Sequence, residues 1–400
     1  MTQAFEGIRI LDLTQVLAGP YGVMQLALLG AEVIKIEHPD SGDQTRGLMN
    51  LGKDQSMSPS FMTCNLNKRS IAIDLKKQSG IDIVKKLIPT ADVLVENFKA
   101  GTLERMGLGF QQVKDIKPDI IYASITGFGQ KGPKAGEAAY DGAIQAASGM
   151  MTQTGFPETG PTRTGYMPVD MSTALNTAFT ISAALYRKKT TGEGQRIDIA
   201  MMDTAIVVQA AQYSNYLNQG TLVGLTGNSS PTRQPTAGVY QSKDSFIQIT
   251  ALSQQQVEKM FSVLGLEEML SGPWMSTADS RIQHSSEIHN LITETTRKQT
   301  SSYWKEKFDQ SGIPASEIKS IPEVISEEQF KYRNVFETIP SPVPDKEKVT
   351  VIKAGYMTDV DGPLVRSVPP HLGEHTDEIL REVGYTGEEI ETLYRTHTIR

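Results

Sequence analysis

Over its first 130 residues the chain alternates short β-branched apolar runs with stretches whose apolar positions recur at helical spacing. "IRILDL" (Ile8–Leu13) predicts a strand, "YGVMQLALLG" (Tyr21–Gly30) a helix and "AEVIKIE" (Ala31–Glu37) a second strand. The pattern repeats with "SIAIDL" (Ser70–Leu75), a helix over Ser79–Thr90, the strand "DVLVENF" (Asp92–Phe98) and "DIIYASITGFG" (Asp119–Gly129). Strands that alternate with helices predict an α/β fold with a largely parallel sheet. Asp170–Lys189 and Met201–Leu217 then predict two long helices, with a turn and a short strand in "TTGEGQRIDIA" between them. The loop-like Leu225–Pro235 is a candidate linker, Gly238–Ala251 predicts a hairpin, and helical segments continue to about Ile325. The Pro-rich Ile339–Val349 predicts an extended stretch, and the tail predicts two short helices split at Gly384–Gly387.

Composition narrows the class. Four hundred residues suit roughly two to three domains. The 39 basic and 46 acidic residues give a net charge of −7, which argues against a nucleic-acid partner. A single cysteine, Cys64, cannot form an internal disulfide, and a reducing compartment follows as the expectation. The start "MTQAFEGIRILDL" lacks a basic segment followed by an apolar one, and no apolar stretch reaches ~20 residues. A cytoplasmic enzyme with no membrane partner is therefore expected.

The first strand–loop–helix unit invites a dinucleotide reading, with Glu37 where a ribose-binding acid would stand. Its glycines, Gly19 and Gly22 around Pro20, do not form the G-x-G-x-x-G fingerprint, so tight packing is the simpler explanation. The helix N-terminus could still hold an anion.

Asp170 is the only acid in "PTRTGYMPVDMSTALNTAFTISAALYRKK", at the point where a loop becomes a helix. Met171, Ala174, Leu175, Ala178, Ile181 and Leu185 predict one buried stripe behind it. Position alone favours Asp170 as an N-cap, contributing ~0.5–2 kcal/mol over Ala. The same surroundings would keep the carboxylate ionised and permit nucleophilic attack on an activated acyl group. Periodicity does not choose between these roles.

Four segments resemble the class III CoA-transferase family, the formyl-CoA and carnitine CoA-transferase (CaiB/BaiF-like) group. They are "GIRILDLTQVLAGPYGVMQLALLGAEVIKIEHPDSGDQTR", "NKRSIAIDLK" with "ADVLVENFKAGTLERMGLG", "IYASITGFGQKGP…AYD" and "TGYMPVDMSTALNTAFTISAALYRKKTTGEGQRIDIAMMD"; the tail "PPHLGEHTDEILREVGYTGEEI" is also similar. The resemblance implies a large Rossmann-like parallel-sheet domain (1–225), a smaller α+β domain (226–325), and a linker with a C-terminal segment (326–400) that returns to the large domain. It also implies an intertwined homodimer.

The activity implied is acyl-CoA:carboxylate CoA-transfer, with coenzyme A as acyl-CoA substrate, a small carboxylic acid as acceptor and no metal. Asp170 matches the nucleophile, which passes through an aspartyl anhydride and an aspartyl-CoA thioester. CoA contacts carried over are Val16, Leu17 and Ala18 in the first loop, and His38, where several members have arginine. They continue with Ile73 and Lys76 on the adenine and phosphate side, Asn97, Phe98 and Arg105 in the "ENF…R" segment, and Tyr140 and Met201 near the thioester. Ala138 stands where some members carry lysine.

An α-methylacyl-CoA racemase using Asp170 as acid or base is the alternative of the same fold, and a non-catalytic CoA-binding member a second. No histidine lies between His38 and His284, where related racemases carry one. No glycine run like that of formyl-CoA transferases is found, which turns the expectation from oxalate toward another acid. Arg163 and Arg233 are candidates for the second carboxylate of a diacid.

Overall fold

The computed structural model describes residues 2–48, 57–344 and 346–400. These residues divide into two compact units. The larger comprises Met1–Ser148, Thr164–Ala210 and Gln329–Arg400, and the smaller Gly149–Arg163 and Ala211–Glu328.

The larger unit is built on β1 (Arg9–Leu13), β2 (Glu32–Glu37), β3 (Lys68–Ala72), β4 (Val93–Glu96), β5 (Ile121–Thr126) and β6 (Arg196–Ala200). All neighbours are parallel, in the order β3-β2-β1-β4-β5-β6. Strand order therefore reverses between β1 and β4. In open parallel sheets the crevice at such a reversal, beyond the strands' carboxyl ends, is where ligands bind.

One face of the sheet carries the cluster of Leu11, Ile34, Ile71 and Leu94, closed by tail residues Ile379, Leu380, Ile390 and Leu393. The other face carries Ile10, Val33, Val93 and Ile121 under α1 (Ala18–Leu28) and α4, the helix Pro168–Thr191. Two shorter helices, α2 (Gln78–Leu87) and α3 (Asp141–Ala147), lie between these in the chain. The glycines of the first turn are packing residues. A Cβ on Gly22 would fall 2.6 Å from the Ala174 carbonyl oxygen of α4, and one on Gly19 2.4 Å from Thr14 Cβ. Both leave room for close approach, α1 to α4 and α1 to its own entry loop.

Several expectations change. The stripe behind Asp170 holds at Ala174, Ile181 and Leu185, but Leu175 is 56% exposed. It joins Phe179 and Tyr186, also exposed, on the opposite side of α4. The segment expected as one helix from Met201 is two, Met201–Val208 and Ala210–Gln219, with Gln209 ending the first. The Pro-rich segment is not extended throughout: antiparallel strands Phe336–Pro340 and Lys348–Ile352 pair across it, though residue 345 lies outside those described. The expected tail helices are Thr376–Glu382 and Gly387–Arg395.

The smaller unit has a three-stranded antiparallel sheet, with the expected hairpin Ala237–Gln241 and Phe246–Thr250 extended by Ala315–Glu317. Tyr240, Ile247, Phe261, Trp304 and Phe308 form its core. Leu225–Pro235, expected as a linker, falls inside this unit.

Candidate active site

A cavity of about 250 Å³ opens at the strand reversal. The loop after β1 contributes Gln15, Val16, Leu17 and Ala18, and the loop after β4 contributes Asn97 and Phe98. Ile125, Thr126 and Gly127 come from the end of β5, and Ala139 and Tyr140 from just before α3. Asp170, Met201 and Gln44 complete the wall.

Two amides close the crevice between β1 and β4. The Gln15 N–H donates to Asn97 Oδ1 at 2.9 Å, and Asn97 Nδ2 donates to the Gln15 carbonyl at 2.8 Å. Phe98 is held by its N–H donating to Glu96 Oε2 at 2.9 Å. Burial pushes the Glu96 carboxyl up to about 7. At the start of α1, Leu17 supplies no side-chain cap, and the first N–H groups of a helix have no partner within it. Such an end suits a negative charge developing in the cavity.

Asp170 does not cap its helix. It is the third residue of α4, whose N-cap position is held by Met167 with no side-chain bond. The capping acid is Asp141: its Oδ2 accepts the N–H groups of Val169 at 2.9 Å and Asp170 at 3.0 Å. Asp141 is in turn oriented by Gln145, whose Nε2 donates to Oδ1 at 2.5 Å. Gln145 Oε1 accepts from the Thr164 N–H and hydroxyl, both at 3.2 Å, tying the approach to α4 into the same network. The cap comes from 29 residues away, so no local pattern around Asp170 announces it.

The expectation that helix-end contacts hold Asp170 as a ready anion is also revised. Burial first, and then the neighbouring Asp141 charge, push its carboxyl up to about 6. Near neutral pH it is still mostly ionised, but it is a more basic carboxylate than an exposed one. A partly desolvated, more basic oxygen facing a cavity is a candidate nucleophile or acid–base group.

Buried charges lie beneath the loop. Lys68 Nζ meets Asp12 Oδ2 at 2.8 Å, Lys35 meets Asp43 Oδ2 at 2.8 Å, and Arg46 meets Glu37 Oε2 at 2.7 Å. Burial alone would raise Asp12 and Asp43, but the adjacent lysines outweigh it and hold both below the usual carboxylate range. Cys64 is buried here too, its thiol pushed up to about 12 chiefly by desolvation, which leaves it inert.

The remaining candidates stand outside the cavity wall, though at the same strand ends. His38 is half-buried after β2, with Nδ1 accepting the Asp40 N–H at 3.3 Å. Ile73 follows β3 and is only 1% exposed, its side chain belonging to the core. Lys76 is exposed just before α2. Arg105 is exposed on the helix Thr102–Arg105, donating to Thr102 Oγ1 at 3.1 Å. Sequence reasoning did not single out Gln15, Gln44, Glu96 or Asp141, although all four lie inside the segments that carry the resemblance; Glu96 is the first residue of "ENF" and Asp141 the last of "AYD".

A parallel sheet with an acid-bearing cavity at its strand reversal is the ligand-binding architecture of an open α/β fold, and comparison with known proteins supplies the family. The chain belongs to CoA-transferase family III, whose description matches residues 5–376. It is 36% identical to the human succinyl-CoA:glutarate CoA-transferase over 94% of this chain and 85% of that protein. It is 34% identical to the formyl-CoA:oxalate CoA-transferase of Rhodopseudomonas palustris over 98% and 97% of the two chains. The crystal structure of a CAIB/BAIF family protein from Brucella suis superimposes with a TM-score of 0.84 at 32% identity, covering 96% of this chain and all of that one. CoA-thioesters are the substrates of this enzyme class. Among the described residues no helix is long and apolar enough to cross a membrane.

Proposed function

We propose that the protein is a cytoplasmic acyl-CoA:carboxylate CoA-transferase with Asp170 as its nucleophile and the larger unit, rather than the expected continuous 1–225, as its CoA-binding part. The observation that carries this reading is the half-buried Asp170, its carboxyl raised to about 6, in a cavity shared with the Val16–Ala18 and Asn97–Phe98 loops. An Asp170 oxygen attacks the donor thioester carbonyl; the C–O bond forms, the C–S bond breaks, and CoA leaves as thiolate. The thiolate then attacks the aspartyl carbonyl of the anhydride, releasing the donor carboxylate and leaving aspartyl-CoA. The acceptor carboxylate attacks that thioester, giving a second anhydride and thiolate. Thiolate attack on the acceptor acyl carbon forms the product thioester and restores Asp170. No net proton is required, so a carboxylate suffices without a neighbouring histidine. The uncapped start of α1 is suited to the tetrahedral oxyanions.

The cavity has room for the reacting end of CoA, and its adenine end would extend along the open strand ends toward His38, Lys76 and Arg105. A short dicarboxylic acid is the proposed acceptor class, supported by the relatives named for succinyl-CoA and glutarate. A homodimer is proposed as well, because Leu175, Phe179 and Tyr186 leave an apolar side of α4 uncovered. Light scattering should give twice the 43.8 kDa chain mass, and a monomeric mass would remove that proposal.

The test of the chemistry is hydroxylamine trapping during turnover of succinyl-CoA with glutarate, read by peptide mass spectrometry. An Asp170 hydroxamate is expected. Asp170→Asn should lower kcat by roughly a thousandfold or more, and the wild-type rate should fall about tenfold per pH unit below about 6. Because the fold raises this pKa, it favours the protonated acid, so Asp170→Asn should gain stability over wild type as pH rises from about 4 through about 6. Full activity in Asp170→Asn would sink the mechanism.

A further inference from the structure

Val16 stands on the cavity wall with φ +72°, in the left-handed region that a β-branched side chain resists. The other non-glycine residues in this region among those described are two asparagines, an arginine and a histidine. Such a conformation persists only where its surroundings impose it.

The surroundings here are buried and almost fully paired. Asp12 Oδ1 accepts the Thr14 N–H at 2.9 Å, and Lys35 Nζ donates to the Thr14 carbonyl at 2.9 Å. Asn97 takes both the N–H and the carbonyl of Gln15. The Val16 N–H donates to Asp43 Oδ1 at 3.2 Å. Asp43 is itself held at both carboxylate oxygens and at its backbone: Oδ1 also accepts the Thr45 N–H and hydroxyl at 2.9 and 2.8 Å, Oδ2 pairs with Lys35, and its own N–H donates to Glu37 Oε1 at 3.0 Å. Its side chain is wholly inaccessible, as is that of Lys35.

We propose that Asp43, anchored by Lys35, is a positioning residue that clamps Val16 in its left-handed conformation and thereby sets the Val16–Ala18 backbone to receive CoA. This rests on the reading that the cavity binds CoA. Asp43 does not face the reacting groups; it acts through the backbone of the loop. A buried pair that merely stabilised the sheet would not care which atom Asp43 offers to Val16, and this difference can be measured.

The experiment compares two variants that both remove the buried pair. Lys35→Met with Asp43→Asn keeps an acceptor oxygen for the Val16 N–H, and Lys35→Met with Asp43→Ala removes it. CoA binding is read by calorimetry on the full chain and succinyl-CoA turnover by kcat/KM. The alanine version is expected to be at least tenfold weaker than the asparagine version in both, each read well below the lower of the two melting temperatures because alanine also leaves the Thr45 N–H unpaired. Adding Val16→Gly to the alanine version should recover threefold or more, because glycine enters this region without strain. Equal affinity of the two pair variants, or no recovery with glycine, overturns the proposal. Should neither pair variant fold, Val16→Pro leaves the pair intact but cannot reach positive φ. A loss of CoA affinity beyond tenfold supports the clamp, and wild-type affinity overturns it. A wild-type protein that binds no CoA would instead overturn the functional reading, and the clamp's purpose with it.

Discussion

The two units bury positive charge in different ways. Under the cavity of the larger unit, Lys68, Lys35 and Arg46 each meet a carboxylate within 2.8 Å. In the smaller unit the buried Arg281 meets only neutral oxygens: Gln234 Oε1 at 3.1 Å, Gln254 Oε1 at 2.7 Å and the Met275 carbonyl at 3.0 Å. Its neutral partners tie loop to helix without demanding a second charge. The carboxylate-paired lysines do more than neutralise each other. Lys68 also donates to the Pro20 carbonyl of α1, and Lys35 to that of Thr14, so the two pairs also fix the backbone on either side of the Gln15–Ala18 stretch that lines the cavity. Buried ion pairs are poor stabilisers compared with apolar packing, and their use here fits a requirement for geometry rather than for stability.

That contrast can be broken most directly at Lys68. Lys68→Met strands Asp12 as a buried unpaired charge and should cost about 3–5 kcal/mol in urea unfolding of the full chain. Combining it with Asp12→Leu should recover much of that loss while CoA turnover stays impaired. Full recovery of turnover as well would mean that the pair does not position the loop. Arg281→Met should cost less, about 1–3 kcal/mol, since it leaves neutral acceptors unpaired. A larger loss than that of Lys68→Met would reverse the ranking. The smallest effect is expected where two like charges meet, at Asp141 and Asp170. Asp141→Asn retains an acceptor for the start of α4 but removes a charge that raises Asp170. The acid limb of the rate profile should therefore move below about 6, toward the ordinary carboxylate range. An unmoved limb would leave burial as the sole cause of the raised pKa.

Much of the larger unit was legible because buried parallel strands are written as short apolar, β-branched runs, as at Ile10–Leu11 within "IRILDL" and Val93–Val95 within "DVLVENF". The third strand is displaced, Lys68–Ala72 rather than Ser70–Leu75, because the chain turns at Asp74. Asp170 could be singled out by resemblance, but its environment could not, since the acid that caps its helix is remote in sequence. Val16 gave no warning either: nothing in a valine predicts positive φ, which long-range hydrogen bonds impose. Leu175 was assigned to the core because helical spacing marks apolar positions without saying which neighbour covers them.

One edge of the parallel sheet is closed from far away in the sequence. β3 is an edge strand, and Ile399 bridges Ile73 while the His375 and Arg400 N–H groups donate to the Ser70 and Ala72 carbonyls. Because that covering segment is remote in sequence, its docking is a non-local contact, and β3 stays open in any partly folded state that lacks it. An open strand edge is a template for pairing with another chain, so the 371–400 segment protects the fold from misassembly as well as completing its core.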